Sequence, residues 1–347
     1  MKKSIVNLVA FLMSGLCCFS AVGCGGNPQN SAEQQEKVSL VAIENATAVG
    51  TVDADYYLLA EPAVSAQRSK GYSIAGDIQA LYGGEQGYPQ AVLVAKTELV
   101  REYEGWINTF TQKLSSAAAW LQTADGAQIV SAVNAHMDDK DTLSSLKAPL
   151  LTADVMGRCG VRFAYASESK TEVEGFLTQM RAVNDKAAAI PAQAFYWETS
   201  EETSAIVPER ELTVYMPDGA PALSMAKLMA EDTETDGFAY KVVAPSLIAS
   251  KVTNKEMANN ADFCVLPVTA ASKLLGTGEK YQMLGVVTHG NLFLISKDGK
   301  QFTAENLSTL KGKKVGVLQI KEVPGLTFKT VLNKYGIPFE EKTSLNG

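Results

Sequence analysis

Short apolar runs alternate with amphipathic segments along the C-terminal half of the chain. The apolar runs predict strands at 212–216, 240–243, 262–268, 282–287, 292–296 and 314–320. Helices are predicted between them, at 221–230, 248–257, 269–275, 304–310 and 324–334. Strands that alternate with helices at this spacing indicate βαβ units and a mostly parallel sheet.

The N-terminal half carries elements of the same two kinds. Strands are predicted at 54–60, 72–78 and 91–95, and helices at 41–51, 61–69, 97–122, 127–136 and 170–184. The pattern over 97–122 is the most regular, because its apolar residues recur at three-, four- or seven-residue intervals on one face. These residues are Val100, Tyr103, Ile107, Phe110, Leu114 and Leu121. Residues 199–210 show no apolar periodicity and are predicted to be a connector.

The first 23 residues are typical of a secretory signal rather than of a folded domain. Lys2 and Lys3 precede an apolar run over 5–22, and Ala21-Val22-Gly23-Cys24 resembles a bacterial lipobox, although leucine is usual where Ala21 stands. Residues 1–23 are therefore predicted to be a lipoprotein signal peptide, with Cys24 as the lipidated residue. Residues 24–37, rich in Gly, Asn, Gln, Ser and Glu, are predicted to be a tether. The alternatives are an ordinary cleaved signal and an uncleaved single membrane span.

No later apolar run reaches the roughly 18 residues that a membrane span needs. We therefore expect the rest of the protein to be extracytoplasmic, attached to the cell membrane through the lipid anchor only.

Composition narrows the possible functions. The chain has 347 residues, of which 46% are hydrophobic, so it can bury a real core, and its length suits two domains. Lys and Arg number 31 against 38 Asp and Glu, and this acidic balance argues against nucleic-acid binding. With two His and five Cys, no metal centre and no cofactor are predicted. Cys17 and Cys18 would leave with the signal, so Cys159 and Cys264 remain as either a disulfide or two buried thiols.

Motifs that would indicate catalysis are absent from the sequence. It has no nucleophile elbow, no phosphate-binding glycine loop with lysine, no His-Glu-x-x-His and no paired-cysteine motif. No catalytic residues are predicted, and the protein is not expected to be an enzyme.

Several segments together resemble a known family. These segments are 212–223 (LTVYMPDGAPAL), 262–272 (DFCVLPVTAAS), 285–292 (GVVTHGNL), 310–317 (LKGKKVGV), 52–63 (VDADYYLLAEPA) and 88–95 (YPQAVLVA). They are similar to segments of the extracellular solute-binding proteins of ABC importers, of the nitrate, sulfonate, taurine and thiamine-precursor type. The resemblance covers nearly all of 38–347.

The order of the segments differs from that of the family, in which the Met-Pro-Asp-Gly segment precedes the Glu-Pro segment. A circular permutation explains this reversal most simply, since surface loops tolerate new chain ends. A domain-swapped assembly and a fragment of a tandem gene are the alternatives.

The resemblance implies an α/β fold of the periplasmic-binding-protein type II class, with two hinged lobes, each holding a mixed but mostly parallel sheet. The implied divisions are lobe one at 91–198 plus 211–293, lobe two at 38–90 plus 296–347, and a connector at 199–210. The inter-lobe strands would run near 87–95 and 291–296, and closure of the lobes would enclose a ligand.

Three predicted helix starts follow apolar strands and are candidates for the ligand site. They contain Asp218, Gly219 and Ala220, then Thr269 and Ala270, then Gly325, Leu326 and Thr327. A helix start exposes free backbone N–H groups and the positive end of the helix dipole, which together bind anions. Alternatively, Asp218 and Thr269 act only as N-caps and the glycines only form turns.

Two further polar residues are candidates for the same cleft. The resemblance implies that Glu61 faces it, where a carboxylate would accept hydrogen bonds from an amine or amide; otherwise Glu61 is a first-turn helix acid. His289, at the expected hinge, is either a ligand contact or a structural hydrogen-bonding residue.

The resemblance implies a monomer that captures a small anionic or zwitterionic metabolite and delivers it to an ABC transporter permease, without nucleic-acid partners. Two alternatives remain at this stage. One is an enzyme of the thiamine-precursor synthesis type on the same scaffold, and the other is a ligand-sensing lipoprotein.

Overall fold

A computed structural model describes residues 36–84, 87–199, 206–232 and 237–342 of the chain. The predicted signal peptide, the lipidation site Cys24, most of the tether, and 200–205 of the connector lie outside the described residues, as does the chain end at 343–347. Among the helices that are described, none has both the length and the apolar character needed to cross a membrane.

The described residues form twelve strands. They are β1 (Val38–Ile43), β2 (Tyr56–Ala60), β3 (Ser73–Asp77), β4 (Pro89–Lys96), β5 (Val161–Tyr165), β6 (Leu212–Pro217), β7 (Phe238–Val243), β8 (Phe263–Pro267), β9 (Tyr281–His289), β10 (Leu292–Ser296), β11 (Lys314–Leu318) and β12 (Phe339–Lys342).

Twelve α-helices occur within the same ranges. They are α1 (Ala63–Ala66), α2 (Ile78–Tyr82), α3 (Thr97–Glu102), α4 (Glu104–Ser115), α5 (Ala117–Leu121), α6 (Gly126–Ala135), α7 (Ala153–Arg158), α8 (Ala166–Val183), α9 (Ala220–Leu223), α10 (Ala226–Ala230), α11 (Val268–Leu275) and α12 (Val323–Lys334). Strands and helices alternate, so the predicted α/β class is confirmed.

The strands form two mixed six-stranded sheets. Sheet A has the order β12-β1-β11-β2-β10-β3, and its neighbours are parallel except for β10, which runs antiparallel to β2 and β3. Sheet B has the order β5-β9-β4-β8-β6-β7; β6 is parallel to β7 and β8, whereas β4 is antiparallel to both β8 and β9, and β5 is antiparallel to β9. Sheet A is therefore mostly parallel, as predicted, but three of the five strand pairs of sheet B are antiparallel. In each sheet one antiparallel strand, β10 in sheet A and β4 in sheet B, directly follows an element of the other sheet along the chain.

Two crossovers join the sheets, and they bring the carboxyl ends of the strands together. β9 ends at His289 and β10 begins at Leu292, after only Gly290 and Asn291. Leu292 pairs with Ala60, the last residue of β2, so the carboxyl edge of sheet A lies at this crossover. The second crossover leads into β4, where Pro89 pairs with His289. The carboxyl edges of both sheets therefore meet at the crossovers, which is where open α/β sheets bind ligands.

One apolar core extends across both sheets. It contains Leu40 and Leu58 of sheet A together with Val92 and Val286 of sheet B. Tyr88, at the second crossover, is fully buried and stacks on Phe176 of α8, with ring centroids 5.3 Å apart. Aromatic stacking of this kind adds to the burial energy. The half built on sheet A and the half built on sheet B, called the two halves below, therefore pack against each other in this conformation.

Several predicted elements are wrong in type or extent. The predicted helix at 41–51 is a strand followed by a 3-10 turn: β1 lies between β11 and β12, and its apolar residues face both sides of the sheet. A strand buried on both faces has a continuous apolar run, which local periodicity does not separate from a helix. The predicted helix at 97–122 is divided into α3, α4 and α5, because the backbone leaves helical geometry at Tyr103 and the N–H of Ser116 donates to Lys113, three residues earlier, instead of continuing the α-helical hydrogen bonds. β5 and β12 were not predicted.

The two remaining cysteines do not form a disulfide. Cys159 and Cys264 are both free and fully buried. Burial raises the pKa of each thiol, and the negative charge of Glu61 raises that of Cys159 further. Both therefore behave as small core residues.

Candidate functional site

Polar side chains gather where the crossovers meet. We call this group the crossover cluster; its members are Glu61, Gln90, Arg158, Thr288, His289 and Asn291. Glu61 directly follows β2, and Arg158 is the last residue of α7. The other four lie at the crossovers: Gln90 at the start of β4, Thr288 and His289 at the end of β9, and Asn291 directly before β10. Distant parts of the chain therefore contribute to one place.

Glu61 follows β2 directly, and its side chain is completely buried. Its carboxylate accepts hydrogen bonds from the backbone N–H of Ser65 at 3.0 Å and from the Ser65 hydroxyl at 2.9 Å. It also accepts one from Nε of Arg158 at 2.9 Å. A buried carboxylate is stable only when it is paired and hydrogen-bonded. Glu61, in the half built on sheet A, meets that condition by pairing with Arg158, in the half built on sheet B.

Arg158 ends α7, on the sheet-B side, and connects it to Glu61 on the sheet-A side. It also donates to Asp154 Oδ2 at 2.5 Å, one helical turn earlier. Burial opposes its charge, but the hydrogen bonds to Asp154 and Glu61 outweigh this effect and raise the pKa of Arg158. The ion pair between Arg158 and Glu61 therefore fastens the two halves together in this conformation.

Backbone hydrogen bonds hold the crossover itself. The N–H of Glu61 donates to the carbonyl of Asn291 at 3.0 Å, and Asn291 Nδ2 donates to the carbonyl of Glu61 at 3.3 Å. The N–H of His289 donates to the carbonyl of Gly160 at 2.7 Å. Gly160 has φ +67°, and a Cβ there would lie 2.5 Å from the carbonyl oxygen of His289. Only glycine permits this close approach.

Several buried polar atoms of the cluster have no hydrogen-bond partner among the described residues. They are Gln90 Oε1, Thr288 Oγ1, both ring nitrogens of His289 and Asn291 Oδ1. Thr288 and His289 are each 1% exposed, and Asn291 is 0% exposed. Such an atom costs about 1–3 kcal/mol when left unpaired, and native proteins hold few of them. Their concentration at one crossover makes this cluster the candidate binding site.

His289 carries no charge at neutral pH. Burial and the nearby positive charge of Arg162 lower the pKa of His289 to about 3. The imidazole therefore has one N–H donor and one nitrogen acceptor. Because Glu61 is paired with Arg158, the cluster combines balanced charges with neutral polar groups.

At the first predicted helix start, other parts of the protein already bind the side chain of Asp218. Asp218 follows β6, and its two carboxylate oxygens accept from the Ser144 hydroxyl at 2.5 Å and the Ser145 N–H at 2.8 Å. Asp218 thus holds the 144–145 loop in place. Gly219 has φ +101° with open space around it, and Ala220 is buried at the start of the single-turn helix α9.

The other two helix starts differ from each other. Thr269 is buried and Ala270 is half-buried at the start of α11, which has no side-chain cap, so its N–H groups remain candidates for ligand contact. Gly325, Leu326 and Thr327 are buried in α12, and the Thr327 hydroxyl donates to the Val323 carbonyl at 2.7 Å. A Cβ on Gly325 would lie 2.1 Å from the Ile320 carbonyl oxygen, so this glycine serves close packing.

Sequence reasoning singled out Glu61 and His289 of the cluster and missed Gln90, Arg158, Thr288 and Asn291. Thr288 and Asn291 flank His289 in the Thr-His-Gly-Asn segment, where three polar residues join two apolar strands; that was the available signal. Arg158 gave no signal, because its partner Glu61 is 97 positions away.

Two other features of the described residues lie apart from the cluster. A surface groove of about 470 Å³ runs between α8 and α12 and is lined by the sides of these helices and Tyr82. Within the described ranges, no group of three or more His, Cys, Asp and Glu side chains could hold a metal ion.

Comparison with known proteins adds no relative: no family model, no curated protein and no solved structure matches this chain.

Proposed function

We propose that this chain is a lipid-anchored, extracytoplasmic solute-binding protein. In this proposal it captures a small polar metabolite at the crossover cluster, between the halves built on sheets A and B, and delivers it to the permease of an ABC importer. The observation that carries the proposal is the group of buried, unpartnered polar atoms at the meeting point of the two carboxyl edges. The ion pair of Glu61 and Arg158 supports a closed, ligand-holding conformation.

The expected anionic or zwitterionic character of the solute has uneven support. Of the three predicted helix starts, the one at α11 is the best placed to bind an anion. α9 is only one turn long, and the first turn of α12 is fully buried, whereas α11 has eight residues, no side-chain cap and a half-buried residue, Ala270, in its first turn. A carboxylate or sulfonate at α11 is compatible with this geometry. A second polar end of the same solute would then meet the crossover cluster, which favours a zwitterion over a simple anion.

We also propose that the fold is a circularly permuted type II periplasmic-binding-protein fold. In support, strands from both ends of the chain complete the same sheets: β4 from the N-terminal half lies between β8 and β9, and β10 from the C-terminal half lies between β2 and β3. At the described ends of the chain, β1 and β12 are parallel neighbours. Among the described residues, one chain supplies all twelve strands of both sheets, which favours a permutation over a domain-swapped assembly.

The permutation is tested by restoring the other order. A chain in which 206–342 precede 36–199, joined by a flexible Gly/Ser linker, is expected to fold as a monomer with the far-UV circular dichroism and cooperative melting of the native order. Light scattering checks the monomer. An aggregated or dimeric product would contradict the permutation and favour a swapped assembly.

The function is tested by thermal-shift screening followed by calorimetric titration. Sulfonates, nitrate, amino acids and pyrimidines form the panel, and one class is expected to raise the Tm in a saturable manner, as a ligand specific for the native state does. His289→Ala is expected to weaken that ligand roughly tenfold, since it loses a hydrogen bond to it. Glu61→Gln is expected to weaken the ligand as well, because it loses the ion pair with Arg158 that supports the closed conformation. Asp139→Asn, an exposed surface change, serves as the control. An unaltered affinity in both site variants would refute the assignment of the site.

A further inference from the structure

The unpartnered atoms of the crossover cluster include more hydrogen-bond acceptors than donors. Two of them, Gln90 Oε1 and Asn291 Oδ1, are amide oxygens and only accept hydrogen bonds. The orientation of the Asn291 amide is fixed, because its Nδ2 donates to the carbonyl of Glu61. The Thr288 hydroxyl donates or accepts, and the uncharged imidazole of His289 offers one donor and one acceptor. Acceptors therefore outnumber obligatory donors.

The buried carboxylate of the cluster is already paired. The carboxylate of Glu61 is bound by Arg158 and by two groups of Ser65. A bare anion such as nitrate or sulfate presents acceptors only, so it would leave the two amide oxygens without partners. A group that carries N–H or O–H bonds would satisfy them.

On the premise of the proposed function, we infer that the crossover cluster binds the donor-bearing end of the solute: an ammonium, amide or hydroxyl group that carries at least one hydrogen to donate. Gln90 and Asn291 accept from this end, and Thr288 and His289 complete its hydrogen bonding. Solutes that lack such an end are poor ligands even when they carry the same anionic group.

Matched probes test the inference. Taurine, isethionate and ethanesulfonate share one sulfonate and differ in carrying an ammonium, a hydroxyl or neither at the other end. In 1,3-dimethyluracil, methyl groups replace both N–H hydrogens of uracil. Calorimetric titration is expected to show that the donor-bearing members bind about 10- to 100-fold more tightly than their partners, because polar groups of a site are otherwise left unpaired. Comparison of taurine with isethionate separates a nitrogen from an oxygen donor.

A pair of substitutions tests the same cluster through the protein. Thr288→Val is nearly isosteric and removes a buried hydroxyl without a partner, so the ligand-free Tm is expected to rise by about 2 °C. The same change is expected to weaken the best donor-bearing probe about 3- to 10-fold. Thr288→Ser, which keeps the hydroxyl, is expected to retain the affinity.

The outcomes separate the two proposals. If no probe in either the matched set or the wider panel binds, the proposed function fails and this inference falls with it. If probes bind but members with and without donors bind equally, the function stands and the inference is overturned. A Thr288→Val variant that binds the probe as tightly as the native protein, with Thr288→Ser unchanged, also overturns it.

Discussion

Replacing Asp262 with asparagine is expected to lower the free energy of unfolding by about 3–5 kcal/mol. Asp262 is 2% exposed, at the start of β8, and accepts from Lys96 Nζ at 2.9 Å and from both terminal nitrogens of Arg210 at 2.7 Å. The N–H of Thr213 in β6 donates to it as well. Lys96 is itself 3% exposed, so the substitution leaves a buried ammonium facing a neutral amide.

Arg210 provides the matched control for this prediction. Its side chain is 55% exposed, so Arg210→Gln leaves no buried charge unpaired and is expected to cost only about 1 kcal/mol. Urea unfolding followed by circular dichroism measures both changes. An Asp262→Asn loss no larger than the Arg210→Gln loss would show that the buried ammonium is not the source of the effect.

The same carboxylate makes stability depend on pH in the acid range. Burial alone would raise the pKa of Asp262, but hydrogen bonds from Arg210, Thr213 and Lys96 outweigh burial and lower it to about 2, against an ordinary value of 3.8. The folded-state pKa is depressed, so this contribution is present above about pH 4 and is lost as the pH falls towards 2. The native protein is expected to lose about 2 kcal/mol over that window, and Asp262→Asn is expected to lose less.

Replacing Arg158 with methionine is expected to cost about 3 kcal/mol of unfolding free energy and to loosen the contact between the halves. The substitution keeps the bulk of the side chain but leaves the fully buried carboxylate of Glu61 with Ser65 as its remaining partner.

Glu61→Gln removes the other charge of the same ion pair and serves as the comparison. It leaves Arg158 partly exposed and still paired with Asp154, so its cost is expected to be about 1 kcal/mol. Urea unfolding gives the two energies, and small-angle scattering of the ligand-free variants reports whether the halves separate. Equal costs for the two substitutions, with unchanged dimensions, would contradict the assignment of this pair as a fastening between the halves.

The local pattern of the chain predicted the α/β class and most of the strands near their observed bounds. It did so because strands and helices have different periods, and apolar residues must follow those periods to reach the core. β8 and α11 lie within two residues of their predicted ranges. β1 was assigned to a helix because its apolar residues face both sides of sheet A, and β12 was missed because the sequence FEEK has little apolar pattern.

The candidate site was predictable only in part. Glu61 and His289 stood out because each polar residue directly follows an apolar strand. Two of the predicted helix starts contact residues that the sequence does not reveal. Ser144 and Ser145 donate hydrogen bonds to the carboxylate of Asp218, and the carbonyl of Ile320 packs against Gly325. A helix start binds a ligand only where nothing else in the fold already uses it.

The amino-acid sequence by itself determined the α/β alternation, the acidic composition with only two histidines, and the polar Thr-His-Gly-Asn segment between two apolar strands. Only the tertiary structure decided that the ends of the two sheets meet at this segment and that Arg158 pairs with Glu61. It also decided that the Thr288 hydroxyl, the ring nitrogens of His289 and Asn291 Oδ1 are buried without a hydrogen-bond partner among the described residues. The physical reason is distance along the chain. Periodicity and capping act within a few residues, whereas charge pairing and burial depend on contacts between residues about a hundred positions apart or more.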